Sequence, residues 1–177
     1  VYGMKSSGDW TNDKGANMLD GGAHCYDAYA CADGNWISIG SLEPQFYALL
    51  REKAGLDDEL FDDQWNRATW PQKKQRLAAV IRQRSRSEWC DIMEGSDVCF
   101  APVLDLDEAP THEHNKTRET FVTIDEVTQP NAAPRFSRTP GGIQGPPPAA
   151  GEHNDAALAD WGFSATQIAD LRDAQAI

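Results

Sequence analysis

The fold is decided by the stretch Cys25-Tyr-Asp-Ala-Tyr-Ala-Cys-Ala-Asp-Gly-Asn-Trp-Ile-Ser-Ile-Gly-Ser-Leu-Glu-Pro-Gln-Phe-Tyr47. Two apolar runs flank the dipeptide Asp33-Gly34, which is typical of the turn in a β-hairpin. We therefore predict a hairpin whose strands cover Cys25–Cys31 and Trp36–Ile39.

The pattern changes from strand to helix at Glu43-Pro44. Proline suits the first helical position, because the N–H that it lacks would have no partner there. Apolar residues then recur at helical spacing (Phe46, Leu49 and Leu50). Glu43 thus lies at a helix N-terminus, where the helix dipole favours an ionised carboxylate. The residues alone favour an ordinary first-turn acid over a chemical role.

Composition excludes several classes of protein. The net charge of −12 argues against binding to nucleic acid and to anionic membrane surfaces. No run approaches the roughly 18 apolar residues that a membrane span requires. The four Cys form no CxxC pair, which favours reduced thiols and a cytoplasmic location. The first residue is Val1 and no signal peptide follows, which indicates an internal start and one part of a longer protein.

Further along the chain, helices and strands alternate with loops. Pro71 opens a helix that extends to about Gln83, with a solvated basic face, and a shorter helix follows a capping serine. We predict these remaining elements: a helix over Glu88–Met93 capped by Ser85 or Ser87, a buried edge strand over Cys99–Leu104, a broken helix over Leu106–Arg118, a strand over Thr120–Val127, a helix over Asp155–Trp161 capped by Asn154, and a last helix capped by Ser164 that extends to about Asp173.

These elements predict an α+β fold with four segments. Residues 1–22 form a linker, and residues 23–128 form a small α+β domain. Residues 129–152 are rich in Pro and Gly and form an extended return linker. Residues 153–177 form terminal helices, whose packing partner we expect to lie in a domain outside this chain.

No metal site is predicted. His112 and His114 lack a helical partner at the spacing that a metal requires. His24 and Cys25 are neighbours on a strand, so their side chains lie on opposite faces. Sequence motifs of phosphate-binding loops, dinucleotide-binding folds, serine hydrolases and zinc proteases are absent as well.

Six motifs, in this order, resemble the C-terminal half of the racemase branch of the family III CoA-transferases. The resemblance runs through most of the chain, from Asn17 to Gly162. The motifs are Asn17-Met-Leu-Asp-Gly-Gly-Ala23, Tyr26-x-x-Tyr29, Ala32-Asp-Gly34, Leu42-Glu-Pro-Gln-Phe-Tyr47, Pro102-Val-Leu104 and Gly151-Glu-His-Asn154.

The resemblance implies a fold and an activity. The small domain would be inserted into a Rossmann-like large domain that is missing here, and two such proteins would interlock as a homodimer. The reaction would invert the α-carbon of a 2-methylacyl-CoA thioester by 1,1-proton transfer. The substrate would be an acyl-CoA, and no cofactor is expected beyond its CoA moiety.

The resemblance also implies roles for individual residues. Glu43 would be a carboxylate that supports a catalytic His, which belongs with its Asp partner to the missing N-terminal half. Met18, Leu19 and Tyr26 would line the acyl pocket. Two departures from the family pattern leave the substrate preference open. His24-Cys25 follows Ala23 in place of the usual Pro, and Ser41 replaces a commoner Ala and could add a hydrogen bond.

Two alternatives stay open. A family III CoA-transferase would use the same fold to move CoA between carboxylic acids. The chain on its own would otherwise be a non-catalytic dimerisation or interaction module, because it contains neither residue of the acid–base pair.

Overall fold

A computed structural model describes all 177 residues, and the contacts within it divide the chain into two compact units, Val1–Asp105 and Leu106–Ile177. The first unit mixes helices with a three-stranded sheet. Its elements in chain order are α1 (Tyr2–Ser6), β1 (Tyr26–Ala30), β2 (Trp36–Gly40), α2 (Pro44–Ala54), α3 (Trp70–Ile81), α4 (Arg86–Met93) and β3 (Phe100–Val103), with single 3₁₀ turns at Glu59–Phe61 and Arg67–Thr69.

The predicted hairpin is confirmed. β1 and β2 pair antiparallel, with Tyr26 opposite Gly40 and Ala30 opposite Trp36. The turn between them contains Gly34 at a φ of +82°, a conformation that glycine adopts without strain. β3 returns antiparallel on the other side of β2, so the sheet order is β1-β2-β3. β2 is therefore the central strand, and Gly40 at its end leads directly into the junction with α2.

The sheet has one buried face and one open face. Tyr29, Ile37 and Ile39 point into the core, as the two-residue period of a strand requires. The predicted edge strand is confirmed as β3, but the prediction that it is buried is wrong: Ala101 and Val103 lie on the open face. The core itself is completed by helical side chains, including Leu50, Leu77, Ile81, Trp89 and Met93.

The helices begin and end close to their predicted positions. α2 starts at Pro44 and ends at Gly55, whose φ of +64° closes the helix in the left-handed conformation. α4 has Ser85 as its N-cap, and Ser85 and Glu88 form a reciprocal capping box. Of the two capping serines that the sequence allowed, the structure thus selects Ser85.

The basic face of α3 is not uniformly solvated, contrary to the prediction. Lys73 is fully buried, and its ammonium group donates a hydrogen bond to the backbone oxygen of Asp63. Burial lowers the pKa of Lys73, although the Asp63 carboxylate acts in the opposite direction. Lys74 turns toward β1 and forms a 2.5 Å ion pair with Asp27. These two lysines therefore fasten α3 to the loops around the sheet.

The second unit contains a hairpin where a single strand was predicted over Thr120–Val127. β4 (Phe121–Ile124) and β5 (Val127–Pro130) pair antiparallel around Asp125-Glu126. Both turn residues have a positive φ, +47° and +66°, which is the geometry of a tight primed hairpin turn. The prediction failed because this turn contains neither Gly nor Asn.

The remaining helices of the second unit follow the predicted order. The broken helix consists of a 3₁₀ turn at Ala109–Thr111 and α5 (Glu113–Thr117), and the two tail helices are α6 (Asn154–Asp160) and α7 (Ala165–Asp173). His153 rather than Asn154 is the N-cap of α6, whereas Ser164 caps α7 as predicted. None of the helices combines the length and the apolar composition that a membrane crossing requires.

The α+β class is confirmed, and the division into two units adds a boundary between Asp105 and Leu106. That boundary falls inside the segment 23–128. Residues 1–22, predicted as a linker, contain the short exposed helix α1. The four-segment division refers to the complete protein and stays a prediction.

Candidate active site

Glu43 occupies the junction between β2 and α2. It is the N-cap of α2, with extended backbone angles (φ −73°, ψ 148°), and its carbonyl accepts a 2.9 Å hydrogen bond from the N–H of Tyr47. Its side chain is exposed and makes no capping hydrogen bond. The carboxylate is therefore not engaged by its own helix and is accessible to a group outside it.

Hydrogen bonds hold the two residues that precede Glu43 at the junction. The hydroxyl of Ser41 donates to the carbonyl of Val98 at 2.5 Å, so the predicted extra hydrogen bond of Ser41 is confirmed. The side-chain amide of Gln64 donates to the carbonyls of Ser41 and Leu42 at 3.0 and 2.9 Å. The backbone on the N-terminal side of Glu43 is thus held by two separate elements.

An open groove of about 540 Å³ lies at the end of the sheet beside this junction. Gly40 contributes bare backbone to it, and a Cβ built there would lie 3.8 Å from the Tyr26 ring and from the Cys99 carbonyl. Tyr26 is about 38% exposed and forms one side of the groove. The groove is lined by Asp20, Gly21, Tyr26, Asp27, Ser38, Ile39, Gly40, Cys99, Phe100 and Ala101.

Cys99 connects the groove to Glu43. The pKa of its thiol is raised by partial burial and further by the negative charges of Asp97 and Glu43. The thiol is therefore protonated at neutral pH and is a weak nucleophile. The same interaction places the Glu43 carboxylate within electrostatic range of the groove edge.

The loop before the sheet is built around Asn17 and Asp20. The backbone N–H and the side-chain amide of Asn17 both donate to the Asp20 carboxylate, at 2.8 and 2.7 Å. Burial raises the pKa of Asp20, but hydrogen bonds from Asn17, Gly15 and Gly22 outweigh it, and the net pKa is lowered. Asp20 therefore stays ionised at the mouth of the groove.

The glycine pair of this loop is a geometric requirement. Gly21 has a φ of +88°, and a Cβ on Gly22 would lie 2.5 Å from the carbonyl oxygen of Asn17. No side chain fits at such a distance, because the chain doubles back on itself. Lys74 completes the arrangement, since its ammonium group donates to the Gly21 carbonyl while pairing with Asp27.

The residues expected in the acyl pocket do not share one cavity. Tyr26 lines the groove, whereas Met18 lines a separate cavity of about 270 Å³ between the N-terminal segment and the turn before α3. That cavity is walled by Trp65 and Trp70, whose rings meet edge to face. Leu19 is about 39% exposed and lines neither cavity. The structure of this chain thus brings Tyr26, but not Met18 or Leu19, beside the junction.

His24 lies in the core and not at a pocket mouth. Tyr47 donates its hydroxyl hydrogen to the Phe61 carbonyl at 2.9 Å, so the 2.9 Å contact between His24 Nε2 and Tyr47 is donated by the imidazole. The other ring nitrogen, Nδ1, is buried without a partner. Burial, together with the charge of Lys73, lowers the pKa of His24 to about 3. His24 is therefore a neutral core residue at physiological pH.

No group of three or more His, Cys, Asp or Glu side chains is placed to hold a metal ion.

Two features of the site had not been assigned roles from the sequence. The Asn17–Asp20 pair could have been found from the sequence, because Asn and Asp side chains spaced three residues apart commonly hydrogen-bond across a turn. Gln64 gives no such signal, because its contacts are with residues more than twenty positions away.

The arrangement presents an exposed carboxylate at a helix N-terminus, beside a groove floored by glycine backbone. No histidine of this chain contacts that carboxylate. Glu43 can therefore orient and polarise a donor group supplied from outside the described chain, but it cannot complete an acid–base pair with the residues that surround it here.

Comparison with known proteins places the chain in a family. The sequence profile described as CoA-transferase family III matches residues 3–154. Alpha-methylacyl-CoA racemase from Mus musculus is 40% identical over 97% of this chain, and the Homo sapiens protein of the same name is 39% identical over 92%. Only 45% and 43% of those two proteins are matched, so the chain spans less than half of their length.

A solved structure supports the fold. The crystal structure of a CAIB/BAIF family protein from Brucella suis covers 90% of this chain with a TM-score of 0.65, at 17% sequence identity. The match uses 43% of that protein, which agrees with the share found for the two racemases. The sequence profile and the two racemase matches show that the chain belongs to CoA-transferase family III.

Proposed function

We propose that this chain is the C-terminal part of an alpha-methylacyl-CoA racemase, which inverts the α-carbon of 2-methylacyl-CoA thioesters by 1,1-proton transfer. The observation that carries the proposal is the 40% identity to the mouse racemase over 97% of the chain. An identity of this size, over an alignment that covers nearly the whole chain, favours a racemase over a more distant member of the family.

The reaction requires a base on one face of the α-carbon and an acid on the other, and both must titrate near the working pH. We assign this pair, a His and an Asp, to the N-terminal part of the complete protein. Glu43 then acts as a positioning carboxylate that accepts a hydrogen bond from the imidazole, fixes its tautomer and raises its basicity. Support comes from the exposure of Glu43 and from the absence of a capping hydrogen bond to its side chain.

The groove beside the junction suits the acyl-CoA. Its floor at Gly40 lets a ligand approach the backbone closely, and Tyr26 offers an aromatic wall to an acyl chain. Met18 and Leu19 can form one acyl site with Tyr26 only if another part of the protein bridges the two cavities. We assign that closing surface to a large domain outside this chain.

The complete protein is proposed to be a cytoplasmic homodimer in which residues 153–177 pack on the large domain. Its substrate is an acyl-CoA, and its chemistry uses no metal and no cofactor beyond the CoA moiety. The thioester itself acidifies the α-proton, so the protein has only to place the acid–base pair and to stabilise the enolate.

A CoA-transferase is the second candidate, since it uses the same family fold. Transfer proceeds through a nucleophilic Asp, whereas racemisation requires a His with an Asp. The two reactions are separated by incubating the full-length protein in deuterated water with 2-methylacyl-CoA. Racemisation predicts deuterium at the α-carbon without any acceptor acid; CoA transfer that requires a carboxylic acid, with no α-exchange, would overturn the proposal.

The same assay on this chain alone tests the third reading, a non-catalytic interaction module. We expect no α-exchange, because the acid–base pair is assigned elsewhere. Turnover by this chain alone would show that the assignment of the catalytic pair is wrong.

A further inference from the structure

Gln64 makes the most concentrated set of buried polar contacts near the junction. The residue is buried, with only 7% of its surface exposed. The amide nitrogen donates to the carbonyls of Leu42 and Ser41 at 2.9 and 3.0 Å, and the Cys25 sulfur lies 3.4 Å away. The amide group thus donates to two successive carbonyls of one short segment, with the Cys25 sulfur as a third, longer acceptor.

The two carbonyls of that segment have no partner in the sheet or in α2. β2 ends at Gly40 and α2 begins at Pro44, so the carbonyls of Ser41 and Leu42 belong to neither the sheet ladder nor the helix. Buried backbone carbonyls require hydrogen-bond donors. Gln64 supplies both donors from a loop more than twenty residues away in sequence.

The position of Glu43 depends on this segment. Its side chain makes no capping hydrogen bond, so the backbone sets the point from which the carboxylate reaches outward. The backbone is held on the helical side by the bond from Tyr47 N–H, and on the strand side by the Ser41–Val98 bond and by the bonds from Gln64 to the Ser41 and Leu42 carbonyls. Removing the amide leaves the Ser41 side chain as the remaining restraint on the strand side.

Gln64 is itself held in place. Its backbone oxygen accepts a 3.0 Å hydrogen bond from the indole of Trp70, at the start of α3. Trp70 is buried, so the indole is a fixed donor. A continuous path therefore runs from Trp70 through Gln64 to Leu42 and Glu43.

From this geometry we propose that Gln64 is a positioning residue for the reaction, acting through the Ser41 and Leu42 carbonyls to hold Glu43 in its working orientation. The inference rests on the proposed function, because it assumes that Glu43 supports a catalytic histidine. A small displacement of such a carboxylate reduces turnover without removing any group that contacts substrate.

The test uses the full-length protein with Gln64→Met, which keeps the length of the side chain and removes both donors. We expect kcat for α-proton exchange to fall at least tenfold, with KM within twofold. The pH profile should shift in the same direction as that of Glu43→Gln, because both variants weaken the support of the imidazole. The double variant should lose little more than Glu43→Gln alone, since the two residues act on one group.

Trp89→Phe is the matched control. It removes another buried hydrogen bond of the same core, from the Trp89 indole to the Ile81 carbonyl at 2.8 Å. It should lower the melting temperature but leave the kcat and the pH profile unchanged. If Gln64→Met does not fold, Trp70→Phe loosens Gln64 without removing it, and the same changes are expected at smaller amplitude.

The outcomes separate the inference from the proposed function. A folded Gln64→Met protein with the parental kcat and pH profile overturns the positioning role, as does a double variant whose losses multiply. If Trp70→Phe has to be used, unchanged kinetics in that variant overturn it equally. If Glu43→Gln itself turns over normally, the role assigned to Glu43 under the proposed function fails, and the positioning role falls with it.

Discussion

Asn17 donates both its backbone N–H and its side-chain amide to the carboxylate of Asp20, at 2.8 and 2.7 Å, and so closes the loop that leads into the sheet. The same Asn17 amide also reaches the carbonyls of Thr11 and Asp13. One fully buried side chain thus holds a loop that has no helix or strand of its own.

Asn17→Ala is expected to destabilise the first unit by about 1–3 kcal/mol, because it removes the hydrogen bonds that the buried side-chain amide makes with the backbone of Thr11 and Asp13 and with the Asp20 carboxylate. Thermal unfolding followed by circular dichroism measures the loss. Asn12→Ala, at an exposed position of the same segment, should change stability by less than about 0.5 kcal/mol. Equal effects of the two variants would contradict the role given to Asn17.

Gly22→Ala and Gly40→Ala should behave differently. At Gly22 the new Cβ would lie 2.5 Å from the Asn17 carbonyl, so the loop must move at a cost of about 3 kcal/mol or more. At Gly40 the nearest atoms are 3.8 Å away, an ordinary contact, so the fold should tolerate alanine. Denaturant unfolding of both variants checks this. A Gly40→Ala protein as unstable as Gly22→Ala would contradict the groove geometry.

Gly40→Ala also probes the groove itself. The added methyl group would lie against the Tyr26 ring and narrow the groove floor without disturbing the core. In the full-length protein we expect KM for the acyl-CoA to rise severalfold. An unchanged KM in a folded Gly40→Ala protein would show that the ligand does not use this groove.

Glu43→Gln should leave stability nearly unchanged, because the carboxylate is exposed and makes no capping bond. In the full-length protein, turnover should fall by about 10–100-fold, the range typical of groups that orient a catalytic residue. Glu52→Gln, an exposed acid on the same helix, is the control and should retain full activity. Unaltered turnover in Glu43→Gln would reduce Glu43 to an ordinary first-turn acid.

His24 should make stability depend on pH. Its folded pKa of about 3 lies below its ordinary value of 6.5, so the unfolded chain binds the extra proton between these values. Stability is therefore fully present above pH 6.5 and falls as the pH drops, by up to about 1.4 kcal/mol per pH unit. Urea unfolding between pH 4 and 8 measures the slope.

His24→Gln is the variant that isolates this effect. Glutamine can still donate to the Tyr47 hydroxyl but does not titrate, so the stability of the variant should depend less on pH over the same range. His114→Gln, at an exposed position, should keep the wild-type slope. If His24→Gln and the parent protein have the same slope, the buried neutral histidine is not its cause.

Local sequence signals predicted the hairpin, the start of α2 and the capped helices correctly. Asp33-Gly34 and Glu43-Pro44 carry turn and helix-start chemistry within a few residues, so no distant contact is needed to interpret them. The Asp125-Glu126 turn was missed because its residues give no such signal, and the structure alone shows them at positive φ.

The candidate site likewise has a part that local sequence predicts and a part that depends on distant contacts. The sequence by itself determined that a carboxylate stands at a strand–helix junction, because Glu43 and Pro44 are adjacent and their preferences are local. Only the tertiary structure decided that the Gln64 amide donates hydrogen bonds to the backbone before Glu43. It also decided that Lys73 is buried, and that Met18 and Tyr26 line separate cavities. Those facts depend on which distant segments pack together, and packing is set by the burial of the whole core rather than by any short stretch of residues.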